Sequence, residues 1–533
     1  MKNKLLYVLI FVVCSLHLRS QEAKTAWDNT LDKSWPEDFE RVEIASSFDG
    51  ETQQAVFYKS PLSTPQPLII SLHTWSGDYL QNDPLANEIV LRGWNYIHPD
   101  FRGPNNRFEA CGSEQAISDI EDAIRFAIKK GNVDSSEVHI IGVSGGGHAS
   151  LMSFMKLTYP VKSFHAWAPV TNLESWYFEC VGRGLKYARD LEQVTTGGNG
   201  FDVSEAQKRS PQLMDFPKHK RKDATLHIYT GIHDGYTGSV PVTHSINMYN
   251  SLASQLFPND SQKMVSDSLK LVLLEKRMNP APDTGLAIGD RNVHLYRELP
   301  NLSLTIFEGG HEMIVPQALG LLPVDGTENN KKLNILAIGD SNAAAKNGWP
   351  VQLRKLLPYS RVVNQSVAGN TIGFDNLNNP RLNTLKNIDA YLDAALAELP
   401  EGEKLDYIIL GLGTNDAKKI FKERMGEVRH NMDTLLALIE DYFKNNMQFV
   451  PEIVVVSPPP MNEKIASQEK YGGGNKRIDK HIMRFKKLAQ QHDAIFLNVN
   501  KAFKQSDEEL TIDGVHLTSS AQFKLAQMII EIL

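Results

Sequence analysis

Short apolar runs alternate with amphipathic segments from about residue 41 to residue 320. The run at residues 67–73 (PLIISLH) has the composition of a strand that is buried on both faces. Further runs of this kind are found at residues 94–98, 137–143, 164–170, 226–230 and 302–307. Isoleucines recur at helical spacing at positions 117, 120, 124 and 128, and they indicate a helix that buries one face. The alternation predicts a mainly parallel sheet with helices on both faces.

Two segments interrupt this alternation. Residues 172–222 contain a Trp-Tyr-Phe triplet but no strand pattern, and we expect them to form a lid above a site on the sheet. Residues 258–300 include a predicted helix at 265–276 and have the character of an insertion. The first half of the chain is therefore predicted to be an α/β sheet domain with lid insertions.

The composition changes at residues 323–331, where turn-forming and charged residues show no apolar periodicity. We interpret this segment as an interdomain linker. Beyond it the alternation restarts, with predicted strands at 333–338, 361–364, 407–410 and 453–456 and predicted helices at 349–357 and 519–533. The chain is thus predicted to contain two α/β domains, at residues 25–322 and 332–533.

The N-terminus has the layout of a secretory signal peptide. Lys2 and Lys4 precede an apolar run at residues 5–16, which is too short for a confident membrane anchor. We therefore expect residues 1–20 to be removed and the protein to be exported to the periplasm or the extracellular space. No later stretch approaches the ~18 apolar residues of a membrane helix, so no stable membrane span is expected.

The sequence leaves the state of the cysteines open. Outside the predicted signal peptide there are two, Cys111 and Cys180, both in the first domain. In an oxidising compartment they could form one disulfide, and the alternative is two buried free thiols. The sequence does not give the distance between the two cysteines, so it does not distinguish a disulfide from two free thiols.

Composition and charge limit the classes of function. The apolar fraction of 41% and the charged fraction of 22% are those of a soluble globular protein. The formal net charge of −7 offers no basic surface for phosphates, so nucleic acid is not expected as a partner. The oligomeric state is left open by the sequence.

The first candidate for chemistry is a G-x-S-x-G motif at residues 142–146, with Ser144 at its centre. A serine hydroxyl becomes an effective nucleophile when a histidine accepts its proton and an acid orients that histidine. The motif follows an apolar strand and precedes a predicted helix at 148–157, which is the setting of a nucleophile elbow.

With further motifs, residues 41–320 resemble the α/β-hydrolase superfamily. The segments at 73–77 (HTWSG), 231–235 (GIHDG) and 309–312 (GGHE) follow predicted strands in the order in which that family carries its oxyanion loop, acid and histidine. The segment at 98–103 (HPDFRG) resembles the prolyl-oligopeptidase and carbohydrate-esterase branches.

This resemblance implies a role for each residue of the first site. Ser144 would attack the carbonyl carbon, His311 would transfer the proton and Asp234 would orient His311. The amide of Gly145 and an amide from either Thr74 or Trp75 would hold the oxyanion.

The second candidate consists of Gly339-Asp340-Ser341-Asn342 after a predicted strand and Asp513-Gly514-Val515-His516 before the closing helix. The D-x-x-H spacing places the aspartate and the histidine on one turn. With these motifs residues 331–533 resemble the SGNH (GDSL-like) hydrolases, which implies an SGNH-type, flavodoxin-like three-layer α/β/α domain.

The resemblance again implies the roles of the residues. Ser341 would be the nucleophile, His516 the base and Asp513 its orienting acid. The Ser341 amide, the Gly369 amide and the Asn415 side chain would form the oxyanion hole. The motif reads GDSN rather than GDSL, and that position tolerates variation, so we expect the difference to matter little.

Both resemblances imply ester hydrolysis through an acyl-enzyme without a metal or a cofactor. The predicted function is a secreted bifunctional serine esterase that removes O-acetyl groups, with methyl and feruloyl esters as alternatives, from an acylated polysaccharide or oligosaccharide. One alternative is a single-site SGNH acetylesterase whose first domain is a degenerate scaffold or a glycan-docking module. Another is a serine peptidase in the first domain, and both rest on family analogy.

Overall fold

The computed structural model describes residues 31–282, 285–326, 331–446, 449–506 and 509–533. The predicted signal peptide at residues 1–20 and positions 327–330 of the predicted linker lie outside the described residues.

The chain divides into two compact units. The first unit runs to Thr284 and resumes at Val293–Val315, and the second consists of Gly285–Asn292 and Pro316–Leu533. The division at Val315 falls upstream of the predicted linker at 323–331. Within the second unit, the short 3-10 turn Leu319–Leu321 packs against the helix Trp349–Leu356.

A large mixed sheet forms the centre of the first unit. The strands before residue 316, in chain order, are β1 (Glu40–Ala45), β2 (Thr52–Tyr58), β3 (Gln66–Leu72), β4 (Asn95–Pro99), β5 (Val133–Val143), β6 (Ser163–Trp167), β7 (Thr225–Gly231), β8 (Ala287–Ile288), β9 (Arg291–Leu299) and β10 (Leu302–Phe307). Across the sheet the order is β1-β2-β4-β3-β5-β6-β7-β10-β9. The strands from β4 to β10 in that order run parallel, which confirms the predicted mainly parallel sheet.

The outer strands are antiparallel, and the apolar pattern did not predict them. β1, β2 and β9 carry polar or charged residues, and each has exposed or half-buried positions. A search for strands buried on both faces misses such strands. β9 lies within the predicted insertion at residues 258–300, where it pairs with β10.

Helices cover the sheet of the first unit, at Ala86–Arg92, Glu114–Lys130, Gly145–Lys156, Leu173–Gly182, Tyr187–Thr196, Val203–Lys208, Val242–Leu256 and Asp267–Lys276. The helix Glu114–Lys130 begins at Ser113, whose hydroxyl accepts a hydrogen bond from the Ala116 amide. Its apolar face packs into the core through the isoleucines 117, 120, 124 and 128. The segment at 172–222 contains helices and no strand within its described residues, as predicted.

The second unit has a parallel sheet between two layers of helices. Its strands are β11 (Asn334–Gly339), β12 (Arg361–Asn364), β13 (Tyr407–Gly411), β14 (Glu452–Val456) and β15 (Ile495–Leu497), in the order β12-β11-β13-β14-β15. Its helices are Val315–Ala318, Ser341–Ala344, Trp349–Leu356, Thr384–Ala397, Met425–Asn446, Gln468–Tyr471, Gly474–Gln491, Val499–Lys504 and Ser519–Ile530.

Successive residues of one strand face opposite layers of helices in this unit. Ile453 and Val455 join the core formed with Met425–Asn446, whereas Val454 and Val456 join the core formed with Ser519–Ile530. This packing and the strand order are those of a flavodoxin-like three-layer domain, as predicted. None of the helices in the described ranges combines the length and apolar character needed to cross a bilayer.

Both cysteines are free thiols, which settles the alternative that the sequence left open. Cys111 and Cys180 lie in one apolar cluster of the first unit. Burial raises the pKa of each thiol to about 12, so both stay neutral and unreactive near pH 7.

A buried and a half-buried histidine connect neighbouring strands of the first unit. The rings of His165 on β6 and His227 on β7 stack with their centroids 4.7 Å apart. Burial lowers the pKa of His227 to about 4 and that of His165 well below its usual value, and nearby histidines add to both effects. Both rings are therefore neutral in the folded protein at pH 7.

We predict that these histidines make the first unit sensitive to acid. An unfolded histidine takes up a proton near pH 6.5, whereas folded His227 does so only near pH 4. The unfolded state binds more protons between these values, so the free energy of unfolding should fall by up to about 1.4 kcal/mol per pH unit per histidine as the pH drops below 6.5. Unfolding midpoints measured between pH 7.5 and 5 would follow this loss.

The matched variants are His227→Gln and His219→Gln, because His219 is exposed. His227→Gln should weaken the pH dependence of the unfolding midpoint, and His219→Gln should leave it as in the wild type. An equal pH dependence in all three proteins would contradict the prediction.

Candidate active sites

The first site is built on a strained turn between β5 and the following helix. Ser144 occupies this turn with φ 59° and ψ −115°, a conformation that a non-glycine residue adopts at a cost. A Cβ on Gly142 would lie 2.3 Å from the Gly146 carbonyl oxygen, and one on Gly146 would lie 2.1 Å from the Leu72 carbonyl oxygen. The glycines of the G-x-S-x-G motif are therefore required by close backbone approach.

Three of the predicted residues form one hydrogen-bonded relay. The Ser144 hydroxyl lies 2.9 Å from Nε2 of His311, and Nδ1 of His311 lies 2.7 Å from Oδ2 of Asp234. The other carboxylate oxygen of the buried Asp234 accepts hydrogen bonds from the amides of Gly235 and Val240. Because the carboxylate only accepts, it places the proton of the neutral imidazole on Nδ1 and leaves Nε2 facing the serine.

The geometry separates the two alternatives for the oxyanion loop. The Thr74 amide donates to Oε1 of Gln81 at 3.1 Å and is therefore already engaged. The Trp75 amide has no hydrogen-bond acceptor among the described residues, and its nitrogen lies 2.5 Å from the position of a Cβ on Gly145. The Gly145 amide is in the first turn of its helix, where amides lack intrahelical partners. The Trp75 and Gly145 amides thus border one space beside Ser144.

Sequence reasoning missed Asn105, whose side chain reaches the same space. Its Oδ1 accepts a hydrogen bond from the Cys111 amide at 3.0 Å, which assigns the orientation of the side-chain amide. Its Nδ2 is buried without a partner among the described residues and lies 3.0 Å from the Cβ position of Gly145. The only signal in the sequence is that Asn105 follows the HPDFRG segment by two residues.

The predicted lid contacts this oxyanion loop. The Trp75 ring packs edge-on against Trp176 with centroids 4.7 Å apart, and its Nε1 donates to Asp190 at 3.0 Å. Trp176 and Asp190 belong to helices of the segment at 172–222. The lid therefore helps to fix the loop that carries the Trp75 amide.

At the second site the acid and the base lie on one turn, as their spacing predicts. Nδ1 of His516 lies 2.7 Å from Oδ2 of Asp513, whose Oδ1 accepts the amides of Val515 and His516. Burial raises the pKa of Asp513, but these hydrogen bonds outweigh burial and leave the pKa below its usual value. Both side chains are about half exposed, at 47% for His516 and 54% for Asp513.

Asn342 holds the histidine loop next to the nucleophile. Ser341 begins a short helix directly after β11. The neighbouring Asn342 accepts the Leu517 amide at 2.8 Å and donates to the Val515 carbonyl at 3.4 Å, so it binds both neighbours of His516. No hydrogen bond joins Ser341 to His516 among the described residues. We expected the asparagine in place of the leucine of the GDSL motif to matter little. In the structure this asparagine makes a structural contact.

The two remaining oxyanion candidates also come together. Gly369 has a φ of 89°, which favours glycine. The side-chain amide of Asn415 donates to the Asn370 carbonyl, next to Gly369, at 3.0 Å and retains a second N–H. Asp340, which precedes the nucleophile, is buried, and burial raises its pKa against the opposing effects of the Asn342 amide and His516.

The folds and the two groups of residues define a serine hydrolase with two α/β domains. A model of the prolyl oligopeptidase family matches residues 87–265, and a model of the GDSL-like lipase/acylhydrolase family matches residues 337–522. Each match covers about a third of the chain. The chain thus joins a prolyl-oligopeptidase-family domain to a GDSL-like domain.

Individual relatives match single parts of the chain. The curated protein "Dipeptidyl peptidase family member 6" of Caenorhabditis elegans is 27% identical over 173 residues, which are 30% of this chain and 22% of that relative. Among solved structures, the carbohydrate acetylesterase Est24 of Sinorhizobium meliloti is 23% identical, with coverage of 38% of this chain and 98% of its own and a TM-score of 0.32. An acylaminoacyl peptidase is 15% identical, with coverage of 41% and 35% and a TM-score of 0.34.

We predict that Asn342→Leu impairs the second site although it restores the GDSL motif. The change leaves the Val515 carbonyl and the Leu517 amide without partners, which should lower the free energy of unfolding of this unit by about 1–3 kcal/mol. It also loosens His516, so ester hydrolysis in a Ser144→Ala background should fall about tenfold or more. Unfolding curves and initial rates on an aryl acetate test both effects.

Asn347→Leu is the matched control, because Asn347 is an exposed asparagine of the same segment. It should have little effect on either measurement. An Asn342→Leu protein as stable and as active as the wild type would show that the contact does not position the histidine.

Proposed function

We propose that this protein is an exported serine esterase that removes acyl groups from polysaccharide at two independent sites. O-acetyl is the leading ester because of the second domain, and the first site could take acetyl, methyl or feruloyl esters. The observation that carries the proposal is the hydrogen-bonded relay Ser144–His311–Asp234. The Asp513–His516 pair beside the GDSN motif supports the same chemistry at the second site.

At the first site, His311 takes the proton of Ser144 as the serine oxygen attacks the ester carbonyl. Asp234 stabilises the imidazolium that forms. The negative oxygen of the tetrahedral intermediate is held by the Gly145 and Trp75 amides and by Nδ2 of Asn105. His311 then returns the proton to the departing sugar hydroxyl, and a water molecule repeats the sequence to release the acid.

At the second site Ser341, His516 and Asp513 take the corresponding roles. The oxyanion donors are the amides of Ser341 and Gly369 and the second N–H of Asn415. An extended groove beside His516 has a volume of about 1110 Å³, which exceeds the usual range of pockets for drug-sized ligands. This size supports a substrate of several sugar units rather than a small ester.

The second candidate function is a peptidase in the first domain. The observation that favours it is the match of the prolyl oligopeptidase family model, together with a curated relative named as a dipeptidyl peptidase. Peptide and ester hydrolysis share the acyl-enzyme route. The geometry of the catalytic residues therefore does not distinguish the two functions, and assays with different substrates do. A peptidyl anilide offered to a Ser341→Ala protein is the discriminating substrate.

We predict that Ser144→Ala and Ser341→Ala each abolish hydrolysis of one set of substrates and leave the other near the wild-type rate. Removal of a triad serine lowers kcat by as much as about 10⁶-fold, so activity that remains in a single variant reports the other site. The test measures the rates of hydrolysis of aryl acetates and of acetylated, methylated and feruloylated glycans. The double variant serves as the blank. If Ser341→Ala alone removed all ester hydrolysis, the first domain would be a scaffold, a glycan-docking module or a peptidase.

We also predict that Asn105→Leu lowers kcat at the first site, because it removes one donor from the oxyanion space at similar side-chain volume. The loss of one such donor costs about 10²–10³-fold in kcat where this has been measured. The assay uses a Ser341→Ala background, and the KM should change much less than kcat.

Asn106→Leu is the control, because the neighbouring Asn106 is exposed. Its kcat should stay within about twofold of the parent, since a surface change away from the site touches no donor. An Asn105→Leu variant that is folded and retains the parental kcat would remove Asn105 from the oxyanion hole.

A further inference from the structure

The groove of the second unit contains the base of the second site and several cations. Asp513 and His516 line it together with residues of the segments 373–378, 418–424 and 465–471. Its positively charged lining residues are Lys386, Lys418, Arg424 and Lys470. Three carboxylates, those of Asp375, Glu469 and Asp513, line the same groove, so the partner of each cation decides which positive charges are free to meet a ligand.

Two of these cations are neutralised by nearby carboxylates. Nζ of Lys386 lies 2.6 Å from Oδ2 of Asp375. The Arg424 guanidinium binds both oxygens of Glu427, at 2.8 and 2.6 Å. The charges of Lys386 and Arg424 are therefore balanced by carboxylates of the protein, and neither side chain needs a ligand.

Lys418 and Lys470 have no carboxylate within 4 Å in the described part of the chain. Nζ of Lys418 instead donates to the neutral Oδ1 of Asn376 at 3.3 Å. Burial lowers the pKa of Lys418, and repulsion from Lys470 lowers it further, against the attraction of Asp340 and Asp416. Lys418 and the exposed Lys470 both line the groove, so an anion bound there would face two ammonium groups.

The carboxylates near Lys418 and Lys470 do not serve as the anion that pairs with these lysines. Asp340 and Asp416 are buried and do not line the groove. Burial raises the pKa of both, and that of Asp416 reaches about 7, so the Asp416 carboxyl is partly protonated near neutral pH. Asp513 is engaged by His516, and Glu469 lines the groove but is exposed and forms no ion pair with Lys418 or Lys470 within 4 Å in the described part of the chain.

A neutral donor lies next to Lys418. Its Nζ lies 5.9 Å from the centre of the Tyr471 ring. Burial raises the pKa of Tyr471 to about 12, with contributions from Asp340 and Asp513, so the hydroxyl keeps its proton. Tyr471 and Lys418 both line the groove, and a protonated hydroxyl and an ammonium are both donors that an oxyanion can accept from.

We propose that this groove binds an acylated glycan whose sugars carry anionic substituents, with Lys418 and Lys470 holding the anion while the ester lies at His516. A carboxylate of a uronic acid and a sulfate ester present the same charge chemistry. The inference rests on the proposed esterase activity of the second site and specifies the substrate class of that site.

The test measures acetate release by the full-length Ser144→Ala protein, in which only the second site reports. The substrates are chemically acetylated polygalacturonate, acetylated sulfated galactan and acetylated dextran, which is neutral. We expect kcat/KM on at least one anionic substrate to exceed that on dextran by about tenfold at low salt and the preference to shrink in 0.5 M NaCl. The anionic substrate that is preferred identifies the substituent.

Lys418→Met removes the charge at similar length, and its neighbour Lys419→Met is the matched control, because Lys419 is exposed and does not line the groove. Lys418→Met should lower the ratio of anionic to neutral kcat/KM about tenfold, mainly through KM, and Lys419→Met should keep the ratio within twofold. An unchanged ratio in Lys418→Met, or a wild-type preference for dextran, would overturn the proposal.

A binding measurement separates this inference from the proposed activity. Isothermal titration of unacetylated polygalacturonate or sulfated galactan into the Ser144→Ala, Ser341→Ala double variant needs no catalysis. Binding that Lys418→Met weakens about tenfold supports the anion site even where ester hydrolysis fails. Active enzyme with no binding of either anionic glycan would overturn the anion site and leave the esterase proposal standing.

Discussion

Both candidate sites depend on the parallel arrangement of strands. Ser144 and His311 are 167 positions apart in sequence, yet their side chains lie 2.9 Å apart, because the strands that precede them run parallel and end at one edge of the sheet. The same constraint brings the loops after β11, β12 and β13 together in the second unit, with Ser341, Gly369 and Asn415. Core packing that fixes the sheets therefore also fixes the distances on which proton transfer depends.

The two units solve the problem of orienting a histidine in different ways. In the first, Asp234 is buried and held by two backbone amides, so the relay is assembled before substrate binds and lies under helices that support the oxyanion loop. In the second, Asp513 and His516 share one turn and are half exposed beside a wide groove. The first arrangement shields the acid from solvent, and the second leaves the acid and the base open to the groove.

Polar side chains that complete these sites also carry energetic costs. The turn at Ser144 holds a non-glycine residue at positive φ, and Asn105 keeps a buried donor without a partner in the described chain. Such features cost free energy in the resting protein and persist because the surrounding packing determines them.

Local signals determined much of this protein from the sequence alone. Strands such as β10 and β12 have the predicted bounds, and both nucleophiles follow strands as predicted, because apolar pattern and turn chemistry are properties of a few adjacent residues. The tertiary structure decided the antiparallel strands β1, β2 and β9, the choice of the Trp75 amide over that of Thr74, and the contact of Asn342 with the His516 loop. Each of these depends on a partner that is distant or unmarked in the sequence, such as Gln81 for the Thr74 amide or Leu517 for Asn342, and only the folded chain sets those distances.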